Sequence, residues 1–221
     1  MMRSVPTLVL LSSLGLTFSA TAQTARADGA TIALHGNARG APACVTCHGA
    51  QGEGMPANGF PRLAGLNAGY LQTQLDAFAN GQRANAMMTP IAQTLSVDER
   101  AELARYYGGL GGSTAAVSVP NPDSAGARLA LKGRWSHGLP ACVQCHGATG
   151  AGVGTVFPAL AGQSALYIEN QLRNWQQNTR PPGPMGLMKT IASKLSAADI
   201  QSVAAYFAAL PAGGPVPEST P

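Results

Sequence analysis

The sequence has few charged and few aromatic side chains, which make up 11% and 5% of its 221 positions. No run of lysine and arginine is present that would suggest binding to nucleic acid. No stretch alternates apolar and polar residues over a useful length, so a β-sheet is not expected. Apolar residues still make up 45% of the chain, which is enough to build hydrophobic cores. The composition therefore indicates a compact helical protein that does not bind nucleic acid.

Long apolar runs are lacking after the N-terminus. Residues 1–22 have the pattern of a secretory signal peptide, with Arg3, an apolar stretch over 8–18, and small residues up to Ala22. A second candidate cleavage site ends at Ala27. An uncleaved membrane anchor is the alternative, but a span needs about 20 apolar residues. The sequence predicts an exported protein that in a bacterium would reside in the periplasm.

The chain has only four cysteines, and all of them lie in two copies of one pentad. The copies are Cys44-Val45-Thr46-Cys47-His48 and Cys142-Val143-Gln144-Cys145-His146. Cys-x-x-Cys-His is the attachment signature of c-type haem, in which both thiols add to the vinyl groups and the histidine ligates the iron. The sequence predicts two covalently bound haem c groups, with His48 and His146 as iron ligands.

Four cysteines could also form disulfides, a zinc site or a thioredoxin-like redox motif. Two disulfides are common in exported proteins, but they do not explain a histidine after each pair. A zinc site built from two Cys-x-x-Cys pairs is possible, although the pairs lie about a hundred residues apart in separate repeats. A thioredoxin-like redox motif would need a βαβ pattern around it, which is absent. Haem attachment remains the favoured interpretation.

The segments around the pentads occur twice, which indicates a duplicated unit. Phe60-Pro61-Arg62-Leu63-Ala64-Gly65 matches Phe157-Pro158-Ala159-Leu160-Ala161-Gly162, and further matches keep the same order through both halves. We expect an N-terminal domain over 23–112 and a C-terminal domain over 124–211. A linker rich in small residues and proline is expected over 113–123, and a flexible tail over 212–221.

Each unit is expected to contain three main helices. A short helix precedes the pentad, and a middle helix runs from about 69 to 80 and from about 165 to 178. The last helix begins at a capping box, at Ser96 in the first unit and at Ser196 in the second. Gly108 and Pro211 are expected to end these last helices. The fold class predicted is all-α.

The sixth iron position is expected to be filled by methionine. Met88 and Met188 stand eight residues before the capping serine of their unit, in what we expect to be a loop. Met87 and Met185 are competing ligands, and packing in the core is the alternative role for a methionine here. His35 and His137 are less favoured as ligands, because they do not occupy matching places in the two repeats.

A proline occupies the same point in both repeats and offers a hydrogen-bond acceptor. A histidine that ligates a metal through one ring nitrogen usually donates a hydrogen bond from the other. We expect the carbonyl groups of Pro61 and Pro158 to accept these bonds from His48 and His146.

Taken together, the two pentads, the two Phe-Pro-x-Leu-Ala-Gly segments and the Met-x-x-Ile-Ala-x-x-Leu-Ser segments before the last helices resemble the cytochrome c4 family. The resemblance covers nearly all of the chain after the signal peptide. It implies two class I cytochrome c domains whose haems face each other across an interface. It also implies His/Met ligation, by His48 with Met88 and by His146 with Met188. Pro90, where the second repeat has Thr190, departs from the repeat pattern.

The function predicted is electron transfer in the periplasm between components of a respiratory chain. No nucleophile–base pattern is present, so the chain is not expected to be an enzyme. One alternative is the cytochrome subunit of a periplasmic dehydrogenase, and another is a di-haem peroxidase with one open iron site. Expected partners are a cytochrome bc1 complex, a terminal oxidase or a dehydrogenase, and any membrane association would occur through them.

Overall fold

The computed structural model describes Met1, residues 28–111 and residues 121–212. The expected signal peptide, most of the expected linker and the tail after 212 lie outside these residues. The described part is α-helical, and its only β-type pairings are isolated bridges. None of the described helices is long and apolar enough to cross a membrane.

The described helices fall into two sets of five. The first set is α1 (Gly29–His35), α2 (Val45–His48), α3 (Ala68–Ala79), α4 (Met88–Gln93) and α5 (Val97–Gly109). The second set is α6 (Ala125–Lys132), α7 (Val143–His146), α8 (Ala165–Gln176), α9 (Leu187–Ala192) and α10 (Ala197–Ala209). Short 3-10 turns occur at Pro56–Asn58, Trp135–His137 and Pro184–Gly186.

The last helix of each set begins at the expected capping box. The Ser96 hydroxyl accepts a bond from the backbone N–H of Glu99, whose carboxylate accepts from the Ser96 N–H. Ser196 and Asp199 do the same in α10. Both predictions are confirmed, because each side chain satisfies an N–H that the helix start leaves open. Gly108, expected to end α5, instead lies inside that helix.

The residues before each last helix were expected to form a loop, and this expectation is wrong. They form the short helices α4 and α9. The Asn85 side chain accepts hydrogen bonds from the N–H groups of Met87 and Met88, at 3.0 and 2.8 Å, and so satisfies donors at the start of α4. Pro90 is tolerated because it lies in the first helical turn, where its missing N–H is not needed.

Each set packs around its own hydrophobic core. In the first, α5 packs against α1 and α3, and in the second, α10 packs against α6 and α8. The first core includes Ile32, Leu71, Leu103 and Tyr107. The second includes Leu139, Ile200, Val203, Phe207 and Leu210. The helices that carry no pentad therefore form the frame on which the pentads are held.

The first and last helices of each set cross at very short range, and a glycine permits this. A Cβ atom on Gly29 would lie 2.2 Å from the Glu102 carbonyl oxygen, and one on Gly126 would lie 2.0 Å from the Ser202 carbonyl oxygen. These neighbours are backbone atoms of α5 and α10, which cannot rotate away. Any larger residue must push the two helices apart.

We therefore expect Gly126→Ala to lower the free energy of unfolding by about 2 kcal/mol, the usual cost of overpacking. Chemical denaturation followed by circular dichroism measures the change. Gly109→Ala is the matched control, since Gly109 is helical and has open space around it. Alanine there should leave stability unchanged or raise it by up to about 1 kcal/mol. Equal stability of Gly126→Ala and the wild type would show that the crossing is not tight.

Candidate functional site

The two pentads fold identically, each as a single helical turn that ends at its histidine. Val45–His48 forms α2, and Val143–His146 forms α7. The histidine side chains are buried, with 7% of His48 and 6% of His146 exposed. The next residue is a glycine with φ +84° in both units. This left-handed backbone, which glycine adopts without strain, turns the chain away directly after the ligand.

A prolyl carbonyl holds each histidine ring, as expected from the sequence. The Nδ1 atom of His48 lies 2.9 Å from the Pro61 carbonyl oxygen, and Nδ1 of His146 lies 2.8 Å from that of Pro158. Because a carbonyl can only accept, Nδ1 carries the hydrogen and donates it. The lone pair is then on Nε2, the atom available to a metal.

Burial keeps both imidazoles in the neutral form that a metal requires. It lowers the pKa of His48 and of His146 below the ordinary value, more than the hydrogen bond to the prolyl carbonyl raises it. An aromatic ring lies beside each one, with centroid distances of 6.3 Å to Phe60 and 6.1 Å to Phe157. The Phe-Pro segment therefore supplies both the acceptor and an apolar neighbour for its histidine.

The cysteines lie close to the histidines in sequence, and the first thiol of each pentad is held in the uncharged form. All four are free and partly buried. Burial raises the pKa of Cys44, and it raises the pKa of Cys142 to about 11. Zinc binding requires thiolates, which burial disfavours at Cys44 and Cys142, whereas a thioether carries no charge. Within the described ranges no three His, Cys, Asp or Glu side chains come together as a metal site.

The two methionines expected to be ligands are less exposed than their competitors. Met88 and Met188 are partly buried, and Met188 packs against the core of its unit. Their competitors point outward, with 49% of Met87 and 86% of Met185 exposed. His35 and His137 are exposed as well. Met88 and Met188 are the better candidates because their partly buried thioethers are shielded from water, as an iron site requires.

These features fit a c-type haem at both pentads. In each unit a neutral, buried imidazole offers Nε2, two thiols precede it at the attachment spacing, and a partly buried thioether is provided by a separate helix. Cys44, Cys47 and His48 would hold the first group, and Cys142, Cys145 and His146 the second. The same chemistry arises twice, from equivalent residues of the two repeats.

The two Phe-Pro segments also meet each other, which the sequence did not reveal. The Arg62 N–H donates to the Gln163 side-chain oxygen at 2.9 Å, and the Gln163 amide donates back to the Arg62 carbonyl at 3.0 Å. The Arg62 guanidinium also donates to the Ala161 carbonyl at 3.0 Å. Arg62 and Gln163 are each 3% exposed. Two buried segments are thereby joined across the units.

A signal for this contact was present in the repeat. Arg62 stands where the second unit has Ala159, and Gln163 stands where the first has Leu66. The two polar residues are thus the places where an otherwise matched segment differs between repeats. Both differences lie at the contact between the units, but the sequence alone does not say which residues pair.

A family model for cytochrome c matches the chain twice, over residues 27–107 and 124–211. The two matches contain one pentad each. They cover most of the chain, and each match contains one of the two hydrophobic cores.

Two curated proteins illustrate the similarity. The chain is 48% identical to a thiosulfate dehydrogenase electron acceptor from Thiomonas intermedia (strain K12) over 173 residues, which cover 77% of this chain and 80% of that protein. It is 37% identical to a cytochrome c4 from Pseudomonas aeruginosa (strain PAO1) over 203 residues, which cover 91% of this chain and 96% of that protein.

A solved structure shows the same fold. The thiosulfate dehydrogenase TsdBA from Marichromatium purpuratum, in its as-isolated form, is 43% identical with a TM-score of 0.77. The match covers 84% of this chain but only 40% of that one, so this chain spans less than half of the solved protein.

Replacing Gln163 tests the contact between the units. Gln163→Leu introduces the residue of the first repeat and leaves the buried N–H and carbonyl of Arg62 without partners. Each such group costs about 1–3 kcal/mol, so we expect the free energy of unfolding to fall by about 2–6 kcal/mol. Denaturant titration of the haem-loaded protein measures this. Gln201→Leu, at an exposed position of α10, is the control and should change little. A Gln163→Leu protein as stable as its control would contradict the role of this contact.

Proposed function

The chain belongs to the cytochrome c family, and we propose that it is the electron acceptor of a thiosulfate dehydrogenase. Two tandem family units make it a di-haem c-type cytochrome, related to the cytochrome c4 electron carriers. It carries electrons and is not an enzyme. A thiosulfate dehydrogenase is proposed as the electron donor because the chain is 48% identical to thiosulfate dehydrogenase electron acceptors from two organisms.

We also propose the residues that hold the two haems. Cys44 and Cys47 form the thioethers of the first haem, and His48 and Met88 ligate its iron. In the second unit, Cys142, Cys145, His146 and Met188 take the same roles. The equivalent histidine–proline bonds and the partly buried methionines support this assignment.

The protein residues then create two sites suited to electron transfer. Each iron, when bound, supplies the change between ferric and ferrous states. The hydrogen bond from Nδ1 to the prolyl carbonyl keeps the imidazole oriented in both states. Met88 and Met188, as ligands to the iron, would leave no coordination place for a substrate and would raise the reduction potential. Phe60 and Phe157 add an apolar neighbour beside each buried histidine.

A general carrier between respiratory complexes is the second candidate function. The match to cytochrome c4, which spans 96% of that relative, favours it. In that case a cytochrome bc1 complex would be the donor and a terminal oxidase the acceptor. The two functions differ only in the donor, since both use the same pair of iron sites. A peroxidase is not favoured because both units offer a methionine.

We propose the periplasm as the location. The signal-peptide pattern over residues 1–22 and the covalent attachment of haem, together with the cytochrome c4 relatives, support export. Fractionation of cells that express the full chain would place the haem-stained protein in the periplasmic extract.

The ligand assignment predicts the near-infrared spectrum of the oxidised protein. The wild type should show the weak sulfur-to-iron charge-transfer band for two haems. Met88→Ala and Met188→Ala should each remove about half of its intensity, because each removes one sulfur ligand. Met87→Ala and Met185→Ala are matched controls and should retain the full band. Loss of intensity in Met87→Ala instead of Met88→Ala would reassign the first ligand.

The proposed donor can be tested by rapid mixing. Oxidised cytochrome is mixed with purified thiosulfate dehydrogenase, and the haem α-band is followed after thiosulfate is added. We expect both haems to be reduced at a rate that depends on dehydrogenase concentration. Thiosulfate alone and dehydrogenase alone are the controls. Reduction no faster than with thiosulfate alone, combined with rapid reduction by a cytochrome bc1 complex and quinol, would favour the general carrier.

A further inference from the structure

Tyr107 and Phe207 occupy equivalent places in the two units, and only Tyr107 carries a hydroxyl group. Tyr107 lies on α5, and Phe207 lies at the matching position of α10. Their backbone carbonyls accept hydrogen bonds from Gly65 and Gly162, the last residues of the two Phe-Pro segments, at 2.9 Å in both units. Both side chains are buried, with 3% of Tyr107 and 1% of Phe207 exposed. The two rings are therefore anchored in the same way.

The two rings also have the same neighbours. The preceding residue places a second aromatic ring edge-on, Tyr106 at a centroid distance of 5.0 Å and Tyr206 at 5.3 Å. A glycine that follows the pentad lies against each ring, since a Cβ atom on Gly52 would be 2.7 Å from the first ring and one on Gly150 would be 3.0 Å from the second. Because position and packing match, the hydroxyl is what distinguishes the first ring from the second.

The Tyr107 hydroxyl is buried without a hydrogen-bond partner. Among residues 28–111 and 121–212 it is the only fully buried side-chain oxygen or nitrogen for which no partner is found. Such a group loses its bonds to water on folding and gains none in return, which is unfavourable. Phenylalanine, which fills the same place in the second unit, would avoid this cost. The hydroxyl thus requires a partner that these residues do not supply as they stand.

The Tyr107 hydroxyl lies near the first cysteine of its pentad. Cys44 packs against the hydrophobic core that contains Tyr107. Burial raises the pKa of Tyr107, and the Cys44 thiol raises it further. Burial also raises the pKa of Cys44, and the Tyr107 hydroxyl acts in the opposite direction. The two groups are close enough to affect each other, although they do not form a hydrogen bond.

Attachment of haem would change what Cys44 offers to this hydroxyl. A thiol is both a weak donor and a weak acceptor. When it adds to a vinyl group, the sulfur bonds to one vinyl carbon and the thiol hydrogen passes to the other, so no oxidant or reductant is needed. The resulting thioether has no hydrogen and can only accept. A buried phenol beside it then has an acceptor for its O–H.

We propose that Tyr107 is a positioning residue for the first haem, whose hydroxyl donates a hydrogen bond to the Cys44 sulfur after attachment and raises the reduction potential of that haem. The inference rests on the proposed function, because it requires haem at the first pentad. A donor at the thioether draws electron density from the porphyrin edge, which favours ferrous over ferric iron. Phe207 provides no donor to Cys142, so the hydroxyl introduces a difference between two otherwise matched sites.

Tyr107→Phe removes the hydroxyl and keeps the ring, and a spectroelectrochemical titration of the haem-loaded protein measures the effect. A neutral hydrogen bond is worth at most about tenfold in an equilibrium constant, and only its difference between the two oxidation states counts, so we expect a change of about threefold. The equilibrium constant for reduction should fall by this factor for one haem and stay unchanged for the other. At about 59 mV per factor of ten, the shift corresponds to about 28 mV for one electron.

A vibrational measurement reports the hydrogen bond itself. Resonance Raman spectroscopy of the haem-loaded protein detects the C–S stretching band of the thioethers. Exchange into heavy water replaces the hydroxyl hydrogen by deuterium, so the band of a sulfur that accepts from Tyr107 should shift. We expect this isotope shift in the wild type and its loss in Tyr107→Phe. A tyrosine ring that only fills space would not produce it.

Two further variants complete the test. Tyr106→Phe removes the hydroxyl of the adjacent ring, whose counterpart Tyr206 is present in the second unit, and it should change neither measurement. Phe207→Tyr adds a hydroxyl on the side of Cys142, so it should raise the equilibrium constant for reduction of the second haem by about threefold. Where Phe207→Tyr does not fold, Tyr107→Phe alone decides the proposal.

Unchanged potentials or an unchanged isotope shift in Tyr107→Phe, in protein with two haems and the full sulfur-to-iron band, would overturn the inference and leave the proposed function standing. Absence of the isotope shift from the wild type would overturn it as well, since the hydroxyl would then bond to a buried water. A first pentad that carries no haem would instead contradict the proposed function.

Discussion

The bond between each proposed ligand histidine and a prolyl carbonyl is the interaction on which the rest of the structure depends. It fixes the hydrogen on Nδ1 and leaves Nε2 available to an iron, at 2.9 Å for His48 and 2.8 Å for His146. The ring must be buried and neutral for this to work, which explains the apolar packing around it. The helices that cross at Gly29 and Gly126 hold the frame against which the pentads are placed.

The segment that holds the first histidine also joins the two units. Pro61 accepts the bond from His48, and the next residue, Arg62, exchanges two backbone bonds with the side chain of Gln163. Gln163 follows the segment that holds His146. A displacement of one unit would therefore pull on the histidine supports of both iron sites. The contact between the units and the support of the proposed ligand histidines are therefore parts of one arrangement.

The sequence predicted the local features well because their signals are local. The capping box at Ser196 and the acceptor at Pro158 each depend on a few neighbouring residues or on the repeat. The start of α4 was missed because an asparagine, Asn85, satisfies donors that were expected to lie in a loop. The contact between Arg62 and Gln163 joins residues 101 positions apart. Composition and periodicity carry no information on which polar residues face each other at such separations.

The central claim is that two His/Met-ligated haems face one shared interface. Diffraction from crystals of the native, haem-loaded protein at the iron absorption edge tests it most directly. The account predicts two iron peaks, one in each unit, each bonded to Nε2 of His48 or His146 and to the sulfur of Met88 or Met188. An iron without a methionine ligand, or a haem that faces away from the other unit, would contradict it.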